Sequence, residues 1–168
     1  MDKKILMVIA NNNFNDTEYA VPRKIFEENG YSVMVAAGEK GKCYGSGGLE
    51  VEADFALGDV NTDMFLAVVF IGGDGTEIYF NDEKALNLAR DFNYAEKPVC
   101  AICIAPVILA KAGLLSNKKA TVWAGSARDL EMVDAVYTAE RVTVDGNIVT
   151  ASGPSAAEEF AEKILELL

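Results

Sequence analysis

The 168-residue chain contains no histidine. This absence excludes an imidazole base, an imidazole metal ligand and every Ser-His or Cys-His catalytic pair. With only three cysteines, dispersed along the chain, a zinc site is not expected either, and we expect neither a metal nor another cofactor. Any chemistry must therefore use thiol, carboxylate, hydroxyl, amine or backbone groups.

Long apolar runs are also missing. No stretch approaches the ~20 apolar residues that cross a bilayer. The apolar run at residues 5–10 ends in three asparagines and lacks the cleavage site of a signal peptide. Three cysteines, an odd number, provide no disulfide framework. We therefore expect a cytoplasmic protein with reduced thiols.

The chain has fewer basic than acidic residues: 15 Lys and Arg and 26 Asp and Glu give a net charge of −11. Such a charge repels phosphate backbones and anionic lipids, so we expect neither nucleic acid nor a membrane as a partner. The composition, 51% hydrophobic and 24% charged, is typical of globular proteins. The length fits one domain spanning residues 1–168.

Short apolar runs alternate with amphipathic stretches, which predicts an α/β fold with a mostly parallel sheet covered by helices. Predicted strands lie at residues 5–10, 31–36, 65–71 and 98–102, and a predicted hairpin joins 142–144 to 148–151. Predicted helices lie at residues 17–29, 82–92 and 105–112, and from 153 to the last residue. The glycine-rich segment 38–55 is expected to form a small hairpin, and the weaker segment 120–133 a short strand and a helix.

Cys103 lies where the predicted strand 98–102 turns into the predicted helix 105–112, with Ala101 and Ala105 on either side. This pattern is typical of a nucleophile elbow, in which a sharp turn exposes the central side chain. A neighbouring helix N-terminus would also favour a thiolate. Free cysteine is among the most buried residue types, so the local pattern leaves a structural role equally open.

Cys100 and Cys103 form a C-x-x-C motif, which suggests a redox dithiol. Residues three apart on a strand are separated by ~10 Å, however, whereas a disulfide needs Cα atoms within ~7 Å. We therefore expect Cys100 to be buried and unreactive. Cys43, in the glycine-rich segment, is expected to have no catalytic partner.

Glu18 follows the first predicted strand, and Gly73 follows the third. Ligands of open α/β sheets bind beyond the carboxyl ends of the strands, so both should converge on Cys103. A protonated Glu18 could donate a hydrogen bond to a thiolate and lower the thiol pKa, although Asn15 and Glu18 also fit a helix capping box. The backbone N–H groups of Gly73 and Ile104 could stabilise an oxyanion, although the glycine pair at residues 72 and 73 equally suits a tight turn after the strand.

The sequence contains four motifs: Asp16-x-Glu18-x-x-x-Pro22, Gly72-Gly73, Ala101-Ile-Cys103 and Thr150-Ala-Ser-Gly-Pro154. Together they resemble the ThiJ/PfpI family, which includes PfpI-type intracellular peptidases and a parkinsonism-associated protein deglycase. The resemblance implies a flavodoxin-like three-layer α/β/α sandwich, of the class I glutamine amidotransferase-like kind, that forms a homodimer. It also implies that Cys103 is the reactive elbow cysteine, Glu18 its partner acid, and Gly73 and Ile104 the oxyanion-hole donors.

The chain departs from the peptidase pattern at two places where family members carry histidine. Ile104 follows the cysteine directly, and Trp123 fills the place of the other histidine. A Cys-His peptidase mechanism is therefore not expected. Two hypotheses remain: a glyoxalase-like or deglycase-like enzyme for small reactive carbonyls, with Cys103 as nucleophile and Glu18 as acid/base, and a non-enzymatic oxidative-stress sensor or chaperone-like protein that uses oxidation of Cys103.

Overall fold

A seven-stranded sheet forms the centre of the computed structural model, which describes residues 2–168. In spatial order its strands are β11 (Val142–Asp145), β12 (Ile148–Ala151), β8 (Val99–Ile102), β7 (Ala67–Phe70), β1 (Lys4–Val8), β3 (Ser32–Ala37) and β6 (Phe55–Ala56). All neighbouring strands are parallel except the antiparallel pair β11 and β12. The mostly parallel sheet expected from the alternating pattern is therefore confirmed.

Helices cover both faces of this sheet. One face carries α1 (Asp16–Glu28) and α5 (Ala157–Leu165), and the other carries α2 (Glu83–Tyr94), α3 (Pro106–Lys111) and α4 (Ala127–Glu131). Successive side chains of a strand point to opposite faces. Accordingly Met7 of β1 belongs to the same buried cluster as Phe26 and Phe160, whereas Val8 belongs to the cluster of Phe92. The result is the three-layer α/β/α sandwich.

Two small sheets flank the central one. The first contains β2 (Asn12–Phe14), β4 (Gly41–Gly45) and β5 (Glu50–Ala53), and the second contains β9 (Lys119–Ala120) and β10 (Val136–Tyr137). The antiparallel pair β4 and β5 is the hairpin expected in the glycine-rich segment. Strands β2, β6 and β10 were not predicted: asparagine is a poor strand former, and β6 and β10 are only two residues long.

The site is positioned by strands β8, β7 and β1, which are consecutive neighbours in the sheet. Because these strands are parallel, the loops that follow them emerge at one edge. Most boundaries shift by one or two residues from the prediction, and three of the shifts lie near the site or at the last helix: β1 ends at Val8, α3 begins at Pro106, and α5 begins at Ala157 after a 3-10 turn. Within residues 2–168, no helix is long and apolar enough to span a membrane.

Candidate active site

Cys103 occupies a strained turn directly after β8. Its φ of 64° lies in the left-handed region, which costs a non-glycine residue roughly 1–2 kcal/mol. Two backbone hydrogen bonds hold this conformation: the Cys103 N–H donates to the Ala151 carbonyl (2.9 Å), and the Cys103 carbonyl accepts from the Trp123 N–H (2.8 Å). The predicted elbow geometry is therefore confirmed, and the thiol itself is half-buried.

Glu18 lies fully buried in the first turn of α1. The Asn15 side chain caps this helix by accepting a hydrogen bond from the Glu18 N–H at 3.0 Å. The carboxyl group of Glu18 does not complete a capping box, because its Oε1 accepts from the Gly72 N–H at 2.9 Å and the Asn15 N–H donates to the Gly72 carbonyl. The cap is thus made by Asn15, and the Glu18 carboxyl is free to face the end of β7.

The absence of a side chain at Gly72 lets Glu18 and Cys103 approach each other. A Cβ added there would lie 2.6 Å from Glu18 Oε1 and 2.8 Å from Cys103 Cβ, so both side chains close over the same backbone position. Glu18 Oε2 is buried and has no hydrogen-bond partner of regular geometry within residues 2–168. The structure therefore brings the two predicted residues together, and their catalytic roles remain predictions.

Burial dominates the proton affinity of both groups. It raises the pKa of Glu18 to about 7, although interactions with the Cys103 thiol and the Gly72 N–H act in the opposite direction. Burial likewise raises the pKa of Cys103 to about 12. The charge of Glu18 and its hydrogen bonding to the thiol add to this rise, and the Ile104 N–H opposes it.

Burial and the neighbouring acid both raise the pKa of Cys103, which is the direction opposite to the low-pKa thiolate expected from the sequence. Helix α3 starts only at Pro106 and has six residues, so its dipole is weak at the thiol. The nearest ionisable partner is an acid rather than a cation, and an ionised Glu18 disfavours a second negative charge beside it. These effects favour a protonated thiol beside an acid whose pKa is raised to about 7.

The two predicted oxyanion donors, Gly73 and Ile104, line a cavity of about 280 Å³ together with Cys103. Gly73 has a φ of 112°, and a Cβ there would lie 2.5 Å from the Asn13 carbonyl oxygen, so only glycine fits. Within the described chain neither N–H donates to a backbone carbonyl. The Ile104 N–H interacts with the Cys103 thiol, and an oxyanion hole formed by the two N–H groups remains a prediction.

Asn15, Asp74 and Trp123 complete the lining of this cavity. The Trp123 side chain is 51% exposed, and its indole packs on the backbone of Gly125, where an added Cβ would lie 2.2 Å from the ring. Asp74 was not predicted as a site residue. Its position directly after Gly72 and Gly73, at the end of β7, was the available signal.

The other two thiols lie away from this cavity. Cys100 is fully buried in β8, Cys43 is fully buried in β4, and all three cysteines are free. Burial raises the pKa of Cys100 and of Cys43. Across residues 2–168, no group of three or more Cys, Asp or Glu side chains is arranged to hold a metal ion.

A larger depression, of about 570 Å³, lies between α1 and β5. Its basic residue, Arg23, already donates hydrogen bonds to the Tyr19 hydroxyl and to Glu27. Because no thiol lines it, the smaller cavity at Cys103 is the better candidate for chemistry.

The fold and the elbow define an α/β protein of the flavodoxin-like class with a cysteine and a buried carboxyl at the carboxyl edge of its sheet. The DJ-1/PfpI family model matches residues 3–167. The chain belongs to this family, as the sequence motifs predicted.

Relatives and solved structures cover almost the whole chain. Deglycase PfpI of Pyrococcus furiosus is 35% identical over 165 residues, which are 98% of this chain and 99% of that protein. The putative cysteine protease YraA of Bacillus subtilis is 37% identical over 169 residues, 100% of this chain and 99% of that protein. The crystal structure of a ThiJ/PfpI domain protein from Brachyspira murdochii superposes with a TM-score of 0.97 at 33% identity, covering 99% of this chain and 97% of the other.

Proposed function

We propose that the protein converts small reactive carbonyl compounds, with Cys103 as the nucleophile and Glu18 as the general acid/base. One observation carries the proposal: the buried Glu18 carboxyl, whose pKa is raised to about 7, lies against the elbow thiol over Gly72. A group whose pKa is near the working pH both accepts and returns protons efficiently. The likeness to a protein named as a deglycase supports the same chemistry.

Glyoxal illustrates the first step. The Glu18 carboxylate accepts the thiol proton while the sulfur of Cys103 attacks one aldehyde carbon, so that a C–S bond forms as the C=O π bond breaks. The resulting alkoxide lies near the N–H groups of Gly73 and Ile104 and then takes up the proton, which gives a hemithioacetal. Because the proton leaves during the attack, this route requires no preformed thiolate and is compatible with the raised pKa of Cys103.

In the second step Glu18 removes the proton from the carbon that carries the sulfur and returns one to the neighbouring carbon. The adduct becomes the thioester of glycolic acid, and hydrolysis by water releases glycolic acid and the Cys103 thiol. The balance is one glyoxal plus one water to one glycolic acid, with one carbon oxidised and the other reduced. No external oxidant is consumed.

Glycolate formation from glyoxal tests the proposal. Cys103→Ser should reduce the rate to that of the reaction without enzyme, and Glu18→Gln should lower kcat by about 10²–10⁴-fold, the usual contribution of a general base. Cys43→Ala, at a buried thiol in β4, is the matched control and should leave kcat unchanged. Undiminished glycolate formation by Cys103→Ser would overturn the proposal.

Two other activities are less well supported. A Cys-His peptidase mechanism lacks its base because the chain has no histidine, despite the likeness to a putative cysteine protease. An oxidation sensor is favoured by the unpartnered Glu18 Oε2, which could bond to an oxidised sulfur. The thiolate is the form that attacks peroxide, however, and burial and the Glu18 carboxyl raise the pKa of Cys103.

A further inference from the structure

We propose that the cavity at Cys103 selects its carbonyl substrate by charge: it accepts compounds that carry an ammonium or guanidinium group and rejects those that carry a carboxylate. The inference rests on the proposed function and adds the charge class of the substrate. Two residues at the cavity, Asp74 and Trp123, provide the selection.

Asp74 places an unneutralised negative charge beside the thiol. It opens the 3-10 helix Asp74–Tyr79 directly after Gly73, is exposed, and lines the cavity. Within residues 2–168 it forms no salt bridge with a lysine or arginine. It also makes a small contribution to the rise in the pKa of Cys103, with which it shares the cavity lining.

Trp123 provides an aromatic side chain at the cavity. Its backbone N–H is bonded to the Cys103 carbonyl, and its ring is held against Gly125, which has no room for a side chain. About half of the side chain remains exposed. A cation over an indole face is attracted by the negative charge of the ring face, whereas an anion is repelled.

The rest of the lining contains nothing that would attract an anion by charge. None of the six described residues around the cavity is lysine or arginine, and Glu18 adds a second carboxyl next to Cys103. A carboxylate on the substrate about 4 Å from Asp74 would lose roughly fivefold in binding even at the dielectric constant of water. A cationic group at the same place would gain a similar factor and also contact Trp123.

The test compares modification of Cys103 by two methanethiosulfonates of matched size, one ending in a trimethylammonium group and the other in a sulfonate. In each reaction the Cys103 sulfur forms a disulfide with the reagent's ethylthio group, and methanesulfinate leaves. Rates are measured by mass spectrometry at 0.15 M salt, where charges farther than about 8 Å are largely screened. Each rate is divided by the rate of the same reagent with free cysteine.

The normalised cation-to-anion ratio should exceed about tenfold in the wild type and fall about fivefold in Asp74→Asn. Trp123→Leu should lower it about threefold, whereas Trp123→Phe, which keeps an aromatic face, should lower it less. Asp63→Asn is the control: it removes the same charge from an exposed residue that precedes β7, at the opposite edge of the sheet.

A wild-type ratio near one, or equal effects of Asp74→Asn and Asp63→Asn, would overturn the proposal. Modification of Cys103 by these reagents does not require catalytic turnover, so a failure of the charge selection can be distinguished from a failure of the proposed function. An Asp74-dependent ratio without glycolate formation would refute the carbonyl activity alone, and glycolate formation with a ratio near one would refute the charge selection alone.

Discussion

Glu18 and Cys103 are two acids buried against each other, so ionising either one makes ionisation of the other less favourable. Burial raises the pKa of both groups, and the Glu18 carboxyl raises that of Cys103 further, so the carboxyl is the group of the pair that ionises first. The pair therefore behaves as a thiol with an attached base rather than as a standing thiolate.

This charge distribution predicts how alkylation of Cys103 depends on pH. The rate in the wild type should rise with a midpoint above the free-thiol value of ~8.5. Glu18→Gln should move the midpoint down, because the neutral amide removes the neighbouring charge. The measurement is the iodoacetamide rate at Cys103 against pH, with Glu28→Gln, an exposed acid of α1, as control. A wild-type midpoint below 8.5 would contradict the account.

Oxidation should distinguish the three thiols. Mild peroxide should modify Cys103 before the others, because Cys43 and Cys100 are fully buried and Cys103 is only half-buried. Mass spectrometry of proteolytic fragments measures the order. Earlier modification of Cys100, or a disulfide between Cys100 and Cys103, would be incompatible with the continuous strand β8.

At this scale the positions of the site residues could be predicted, and their electrostatics could not. Glu18, Gly73 and Cys103 follow strands whose carboxyl ends meet, so sequence order and strand pattern were sufficient. The raised pKa of Cys103 depends on burial and on α3 starting only at Pro106, which the strand-to-helix pattern does not reveal. The turn at Cys103 shifts the helix by one residue beyond the predicted start.

Among the elements, the glycine-rich hairpin of β4 and β5 is connected to the start of α1 by hydrogen bonds to Asp16. Its carboxylate accepts hydrogen bonds from the N–H groups of Gly47 (3.2 Å) and Leu49 (3.1 Å). A Cβ at Gly45 would lie 1.7 Å from Asp16 Oδ1, so glycine is required for this contact. Because Asp16 is the first residue of α1, the hairpin helps to fix the turn that carries Glu18.

Gly45→Ala should accordingly lower the free energy of unfolding by about 1–3 kcal/mol, the usual cost of overpacking. In the double variant with Asp16→Ala the clash with the carboxylate disappears, so the two effects should not add. Urea unfolding measures both. Gly153→Ala is the control, since an added Cβ there meets no atom within 4 Å. Equal stability of the two alanine variants would refute this role for Gly45.

The predictable elements are those whose residues form them for local reasons. The buried strands β1, β7 and β8 are continuous apolar runs, and the pattern identified each within three residues. Strand β2 was not predicted because its Asn-Asn-Phe sequence has little strand preference. It forms because Phe14 is buried in the core beside β4, which is a tertiary effect.

For the whole molecule, the raised pKa of Glu18 makes folding depend on pH. The folded protein holds this proton up to about pH 7, whereas a free glutamate releases it near 4.5, so the folded state binds more protons in between. Stability contributed by Glu18 is therefore present below pH 4.5 and lost as the pH rises towards 7. The loss amounts to about 3 kcal/mol.

The Glu18→Gln variant has no proton to lose at this position. The free energy of unfolding of the variant minus that of the wild type should therefore increase by about 3 kcal/mol between pH 4.5 and pH 8. Urea unfolding of both proteins across this range measures the difference, in which the titration of the other carboxylates cancels. A difference that stays constant with pH would mean that the Glu18 pKa is not raised in the folded protein.

The isotope content of the product tests the central claim, that Cys103 and Glu18 together carry out carbonyl chemistry. In D₂O, wild-type protein should convert glyoxal to glycolate with deuterium on the hydroxymethyl carbon, because Glu18 exchanges the proton that it moves. Cys103→Ser should form no glycolate above the uncatalysed level, as NMR of the product would show. Glycolate formed without deuterium, or formed equally well by Cys103→Ser, would contradict the account.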